Sequence, residues 1–393
     1  MIAFHEAYAR LLESAPRPGT ASVPLAEACG RILREAVRAD RPQPACDRVM
    51  MDGHALRAAD WENGIRTFRV VGQAPAGRPA ALLPNEAGLC LETMTGAPCP
   101  RGADSIVPVE DSEESAPGQI RLRDGARVTP GRYLHRAGSD AAAGQVVAEA
   151  GRVVDARVVG LAALMGQTHL TVARPPSILV VPTGDELVGL GQVVAAHQIR
   201  QSNGHALVAA LTAAGWPATL GPVLRDEDRE SREILAEMLA AEEWIILTGA
   251  VSKGRRDFLP AFLGGLGCQI VFHGIAQRPG KPAGCWVAPG GCLVVGLPGN
   301  PVSALTGLHS LVLPALHDAA GGARTERRVI LRDPPPAESV LTVHLPVVLG
   351  TEGEARPAPA ANSGDFIGLQ RSSGFVTIPP GPGFGLVPYT PWG

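Results

Sequence analysis

Two segments of this 393-residue chain, Thr183-Gly184-Asp185-Glu186 and Thr248-Gly249-Ala250-Val251-Ser252-Lys253-Gly254, surround glycines with hydroxyls and charged groups, and Asp257 follows the second. Glycine permits positive φ and close backbone approach, while hydroxyl and amide donors suit a phosphate or another oxyanion. Asp185, Glu186, Asp226 and Asp257 are hard oxygen ligands, suited to Mg²⁺ carrying a phosphorylated substrate. Helix capping and solvated turns explain each carboxylate singly, but explain the set less well.

Two further segments add positive charge and a helix start. In Arg278-Pro279-Gly280-Lys281-Pro282, prolines on both sides of a glycine and a lysine make a stiff loop that presents two cations, which lowers the ordering cost of binding an anion. Gly296-Leu297-Pro298-Gly299-Asn300-Pro301 leads into a helix, with Asn300 as its N-cap and Pro301 at its first position. A helix start facing the same cleft favours negative charge. In the first half, Met51-Asp52-Gly53, Met94-Thr95-Gly96-Ala97-Pro98 and Arg136-Ala137-Gly138-Ser139-Asp140 are polar turns that say little singly.

The elements that must hold these groups follow from periodicity. Helical spacing of apolar residues predicts helices over 3–15 and 24–39, and then Asp40 to Pro44 breaks the pattern. Short β-like runs at Arg66 to Val71, Leu89 to Met94, Ser105 to Val109 and Gln119 to Leu122 form a β-rich lobe, and a helix returns over Asp155 to Met165. Beyond Pro176, strands at Ile178 to Val181, Ala218 to Leu224, Trp244 to Leu247, Ile270 to Phe272 and Cys292 to Val295 alternate with helices at Gly204 to Ala214, Ser231 to Ala241, Phe258 to Leu263 and Val302 to Leu313. That alternation predicts a parallel α/β sheet with its ligand at the carboxyl ends of the strands. The expected organisation is a helical linking domain over 1–40 and 132–174, an inserted β-rich lobe over 41–131, an α/β domain over 175–322 and a small β-barrel-like domain over 323–393.

Composition narrows the class of function. Hydrophobic residues make up 45% and charged residues 19%, as in a folded globular protein, and 393 residues exceed one core. A net charge of −3 provides no basic field for nonspecific nucleic-acid or membrane binding. The apolar runs are too short to span a bilayer, and the first 13 residues carry His5, Glu6, Arg10 and Glu13 where a secretory signal would be apolar. The 7 cysteines form no C-x-x-C pair, so a cytoplasmic protein is expected.

In this order the segments, with Ser202-Asn203 and Val302-Ser303 added, resemble the molybdopterin molybdenumtransferase family, which includes MoeA and the gephyrin E domain. The resemblance spans nearly the whole chain and is weakest after Arg327. It implies an L-shaped homodimer whose cleft lies between the α/β domain of one subunit and the β-rich lobe of the other. It also implies that molybdate enters adenylylated molybdopterin with release of AMP, with Mg²⁺ present and molybdoenzyme apo-proteins or their chaperones as recipients. Matching motifs place Asp52, Thr95, Asp140, Glu186, Asp226, Asp257 and Lys281 in catalysis, with Glu186, Asp226 and Asp257 on the metal. They place Thr183, Gly184, Asp185, Thr248, Gly249, Ser252, Arg278, Gly299, Asn300, Pro301, Ser303 and Ser363 on the ligand.

Four positions depart from the pattern. Val49 and His54 replace the serine and tyrosine of D-x-S-x-M-D-G-Y-A, Ala250 replaces the second glycine of G-G-V-S, and Arg278 replaces the lysine before P-G-K-P. Ala250 cannot take positive φ cheaply, and Arg278 keeps the charge with a different hydrogen-bond geometry. A noncatalytic molybdopterin carrier or scaffold is therefore one alternative, and a molybdopterin adenylyltransferase is the other.

Overall fold

A computed structural model describes residues 1–225, 229–249, 259–335, 340–358, 362–381 and 385–393. The chain divides into two compact units, one formed by Met1–Glu35, Ala150–Val159 and His169–Gly393, the other by Ala36–Glu149 and Gly160–Thr168. The predicted first helix forms as Phe4–Ser14, with Ala7 and Leu11 buried on its inner face. The helix expected over 24–39 does not form. Thr20–Pro24 pairs antiparallel with His169–Ala173, Leu25–Glu27 is one 3₁₀ turn, and Val37–Arg38 is a strand. Gly30 at φ 82° interrupts the run, and Ile32 and Leu33 are buried singly by main-chain bonds to Ala173 and Arg152. Helical spacing here recorded burial in extended chain, not a helix.

In the larger unit, Thr219–Leu220, Ile178–Pro182, Trp244–Thr248 and Leu293–Leu297 lie parallel in that order. Side chains alternate between two cores, as a period of two requires. Val180, Ile246 and Val295 meet Leu207, Leu211 and Leu308 on one face, whereas Leu179, Val181, Ile245, Leu247 and Val294 meet Leu235, Leu239 and Leu263 on the other. Gly284–Val287 and Gln269–His273 extend the sheet antiparallel, so the sheet is mixed rather than wholly parallel. The strand expected over Ala218 to Leu224 shortens to Thr219–Leu220, followed by a single bridge between Leu224 and Thr183. From Ile178–Pro182 the chain passes to Thr219–Leu220 on one side and then returns to Trp244–Thr248 on the other. The reversal lies at Thr183 and Gly249, at the carboxyl ends of the strands, where such sheets bind ligands.

After Gly322, Thr342–Leu349, Glu354–Pro357, Arg327–Leu331, Leu386–Pro391 and Gly374–Ile378 pair in sequence, and the last strand pairs back with the first. They close into a five-stranded barrel around Val329, Val347, Val376 and Val387. Gln277–Arg278, from the cationic loop, adds a parallel pairing to Thr342–Val343. In the smaller unit, Ser105–Pro108, Gly53–Leu56, Leu89–Thr93, Thr67–Ala74, Gln119–Leu122 and Ser112–Ala116 form the β-rich sheet. No helix among the described residues is long and apolar enough to cross a membrane.

Burial holds two histidines neutral. His344 is pushed down to about 3 and His309 to about 4, against about 6.5 in an unfolded chain. As pH falls below 6.5 the unfolded chain binds protons that the native state refuses, so stability falls with pH by about 1.4 kcal/mol per pH unit for each fully differential proton. Carboxylates add their own loss only near pH 4, which leaves pH 5 to 6.5 to the histidines. The denaturant midpoint should therefore decline steadily from pH 7 to pH 5, and a flat midpoint would mean that these imidazoles are protonated in the fold.

Candidate functional site

At the strand-end crevice, the main chain is held too closely for side chains. Gly249 sits at φ 110°, and a Cβ there would lie 2.4 Å from the Thr183 carbonyl oxygen. Its N–H donates to the Leu297 carbonyl at 3.1 Å, and the Thr183 N–H donates to the Thr248 carbonyl at 2.9 Å. Thr183 is buried, and its hydroxyl donates to the Thr248 carbonyl at 3.3 Å, so this predicted ligand group is engaged with the loop itself. Gly299 completes the contact, since a Cβ on it would lie 3.7 Å from Gly249 Cα.

Asn203, the first residue of the Asn203–Ala213 helix, ties these loops together. Its Nδ2 donates to Thr248 Oγ1 at 3.0 Å and to the Gly299 carbonyl at 2.8 Å. Sequence matching noted Ser202-Asn203 but assigned it no role; its position at a helix start beside two strand ends was the available signal.

The Thr183–Glu186 loop is exposed from Asp185 onward. The Arg225 guanidinium donates to the Asp185 carbonyl at 2.6 Å, and the Gly184 N–H donates to the Leu224 carbonyl at 3.0 Å. The Glu186 carboxylate folds over the bare Cα of Gly184, where a Cβ would meet Oε2 at 2.7 Å. Asp226, Ala250, Ser252 and Asp257 lie outside the described residues.

On the other flank, Arg278 and Lys281 are exposed, and Gly280 between them has φ 90°. Asn300 occupies the N-cap position of Pro301–Gly307, and Pro301 stands in its first turn as expected. The Asn300 side chain makes no cap bond, however; its Nδ2 donates to Ser363 Oγ at 2.8 Å. The Ser363 carbonyl accepts from the Val302 N–H at 3.2 Å and so takes up one helix-start donor. Ser303 is buried, inside the helix rather than on the crevice surface. The helix continues through a π-helical turn at Leu308–Val312 to Leu313–Ala319, with Pro314 close after that turn.

In the smaller unit three first-half turns converge. Thr95 donates its N–H at 2.7 Å and its hydroxyl at 2.8 Å to Asp52 Oδ1, which holds the Asp52 carboxyl below the usual carboxylate range. Asp47 accepts from the Ala137 N–H at 2.8 Å and the Arg136 guanidinium at 2.5 Å, and these bonds keep it ionised as well. His135 Nε2 meets Asp140 Oδ1 at 2.7 Å. Gly53 is indispensable for steric reasons, because a Cβ there would stand 2.0 Å from the Val107 carbonyl oxygen. Asp47, His135 and Arg136 were not among the expected site residues, although Asp47 and Arg136 stood in the quoted motifs.

Two departures acquire a packing explanation. Val49 is buried with Ala55, Ala97, Ile106 and Leu134, so its apolar side chain belongs to a small core. His54 is half-buried with Nδ1 3.4 Å from Ser112 Oγ, and burial holds its pKa below the ordinary value.

Residues 2–166 match the MoeA N-terminal region (domain I and II), and residues 179–318 match the probable molybdopterin binding domain. The chain is 34% identical to a molybdopterin molybdenumtransferase of Synechocystis over 93% of its own length and 92% of the relative's. It is 31% identical to that of Bacillus subtilis over 96% and 90%. Two solved structures titled molybdopterin biosynthesis MoeA protein, from Pyrococcus horikoshii, cover 100% of this chain and 99% and 100% of their own, at TM-scores of 0.80 and 0.83 and identities of 28% and 25%. With the crevice at the sheet's reversal and relatives aligned over almost the full length, this chain belongs to the molybdopterin molybdenumtransferase family.

Proposed function

We propose that this chain inserts molybdate into adenylylated molybdopterin and releases AMP. The observation that carries the reading is the glycine-lined crevice at Thr183, Gly249 and Gly299, pinned by Asn203 and flanked by the Arg278 to Lys281 loop. Gly249 and Gly299 pack main chain on main chain and so fix the strand ends, and the two exposed cations Arg278 and Lys281 would balance the charge of a pyrophosphate or a tetrahedral oxyanion. Holding molybdate and dithiolene sulfurs together in one place supplies the proximity that metal insertion needs. Breaking the phosphoanhydride requires its oxygens to be neutralised, which is the role given to Arg278 and Lys281.

Glu186, Asp226 and Asp257 would hold Mg²⁺, and the Glu186 carboxylate turned over Gly184 is a hard oxygen donor that fits this ion. When bound, Mg²⁺ would supply further neutralisation of the anhydride oxygens. Asp52, Thr95 and Asp140 form the second group of reacting residues, with Asp52 kept ionised by Thr95. A cytoplasmic homodimer is part of the reading. Met50, Met51 and Met94 stand 51%, 39% and 44% exposed beside Asp52 and Thr95, which supports coverage of that surface by a second copy.

The deciding assay incubates purified protein with adenylylated molybdopterin, Mg²⁺ and molybdate and follows AMP. Molybdate-dependent release is the expected result. Tight binding without release would identify a carrier, and incorporation of AMP from ATP would identify an adenylyltransferase.

Two variants refine the test. Lys281→Ala removes an exposed cation and should weaken binding of adenylylated molybdopterin by about 10- to 150-fold with little change in melting temperature. An early-melting variant that binds normally would make Lys281 a structural residue. Asp52→Asn keeps an oxygen for the Thr95 donors but loses the charge, so AMP release should drop about tenfold or more in a protein that melts normally. Undiminished release would remove Asp52 from the reaction.

A further inference from the structure

The loop that carries Arg278 and Lys281 is backed by a line of buried polar groups that the functional reading does not use. Gln277 and His344 are each 1% exposed. Gln277 Nε2 lies 3.1 Å from the Gly280 carbonyl oxygen, Gln277 Oε1 lies 3.3 Å from His344 Nε2, and His344 Nδ1 lies 3.1 Å from Thr377 Oγ1. The direction of this line is forced. A carbonyl only accepts, so Gln277 must present its amide N–H to Gly280. Its oxygen then faces His344, whose Nε2 must carry the ring proton, and the bare Nδ1 must take the hydroxyl proton of Thr377. Neutral His344 is the form that burial favours.

The line is also packed rigidly. Phe4 and Phe375 meet the His344 ring edge-on, with centroids at 4.9 and 5.5 Å. The Gln277 amide rests on the bare Cα of Gly280, where a Cβ would stand 2.8 Å from Nε2. Next to it, the Thr342 N–H donates to the Ala276 carbonyl at 2.9 Å, and Gln277–Arg278 runs as a strand beside Thr342–Val343. The Gly280 carbonyl also accepts from the Ala283 N–H at 3.1 Å, so its orientation fixes the turn containing Lys281.

We propose that Thr377, His344 and Gln277 are positioning residues: through one directed line of hydrogen bonds, the C-terminal barrel sets the Arg278 to Lys281 loop for its anionic ligand. This rests on the reading of that loop as the oxyanion-binding element. Removing the Thr377 hydroxyl leaves the buried His344 Nδ1 without its partner. The His344 ring then holds the Gln277 amide less firmly, and the bond from Gln277 to the Gly280 carbonyl loosens.

Thr377 is only partly buried, so Thr377→Val is a mild, nearly isosteric change, and Thr377→Ser keeps the hydroxyl. Both are made in the full chain, with and without Lys281→Ala. Titration with adenylylated molybdopterin is read together with amide hydrogen exchange at Ala283. Thr377→Val should weaken binding by about five- to tenfold and speed exchange at Ala283, and Thr377→Ser should restore both. In the Lys281→Ala background the further loss from Thr377→Val should shrink below about twofold, since coupled groups are not additive. Equal factors in both backgrounds, or normal binding by Thr377→Val when Lys281→Ala binds weakly, would overturn the positioning role alone. Normal binding by Lys281→Ala would instead overturn the anion-site reading, and this proposal with it.

Discussion

The contact on which the crevice depends is the approach of the Gly249 Cα to the Thr183 carbonyl, closer than any side chain at position 249 would allow. Two adjacent parallel strands, Ile178–Pro182 and Trp244–Thr248, end in register at Pro182 and Thr248. Their turns stay together because Thr183 spends both its N–H and its hydroxyl on Thr248. Asn203 then brings in the third strand end through Gly299. A buried carbonyl and hydroxyl left without partners would each be costly, so the network that satisfies them also fixes the shape of the crevice floor.

The same economy explains the two cores of the larger unit. The central strands are buried on both faces, so their sequence reads as continuous Ile, Leu and Val rather than as alternation. That made Ile178–Pro182, Trp244–Thr248 and Leu293–Leu297 legible from sequence almost to the residue, and the glycine-rich segments after them fell at the carboxyl ends of the strands. The antiparallel sense of Gln269–His273 was not legible, because direction is set by pairing with Gly284–Val287 and not by local pattern.

Where sequence reading failed, the cause was a bond to a distant partner. Apolar residues between 24 and 39 follow helical spacing, yet their backbone pairs with Arg152, Thr171 and Ala173, more than a hundred residues away. Asn300 has the residue type and place of a helix cap, yet its amide goes to Ser363 in the last part of the chain. Val49 occupies a motif position that resembles a site residue and is a core residue instead. The bridging roles of Asn203 and Asp47 are legible only once the segments they join are known to be neighbours.

The barrel after Gly322 closes on itself, yet it is not self-contained. Its Thr342–Val343 segment spends hydrogen bonds on Gln277–Arg278, and Ser363 takes up the Asn300 side chain and the first N–H of the following helix. A chain ending at Gly322 would uncover an unpaired strand edge at Gln277–Arg278 and strand polar groups that are now buried. The sheet and the barrel are thus held together by hydrogen bonds as well as by the chain, so that an α/β part cut free of the barrel would lose the pairing that holds its own Arg278 strand.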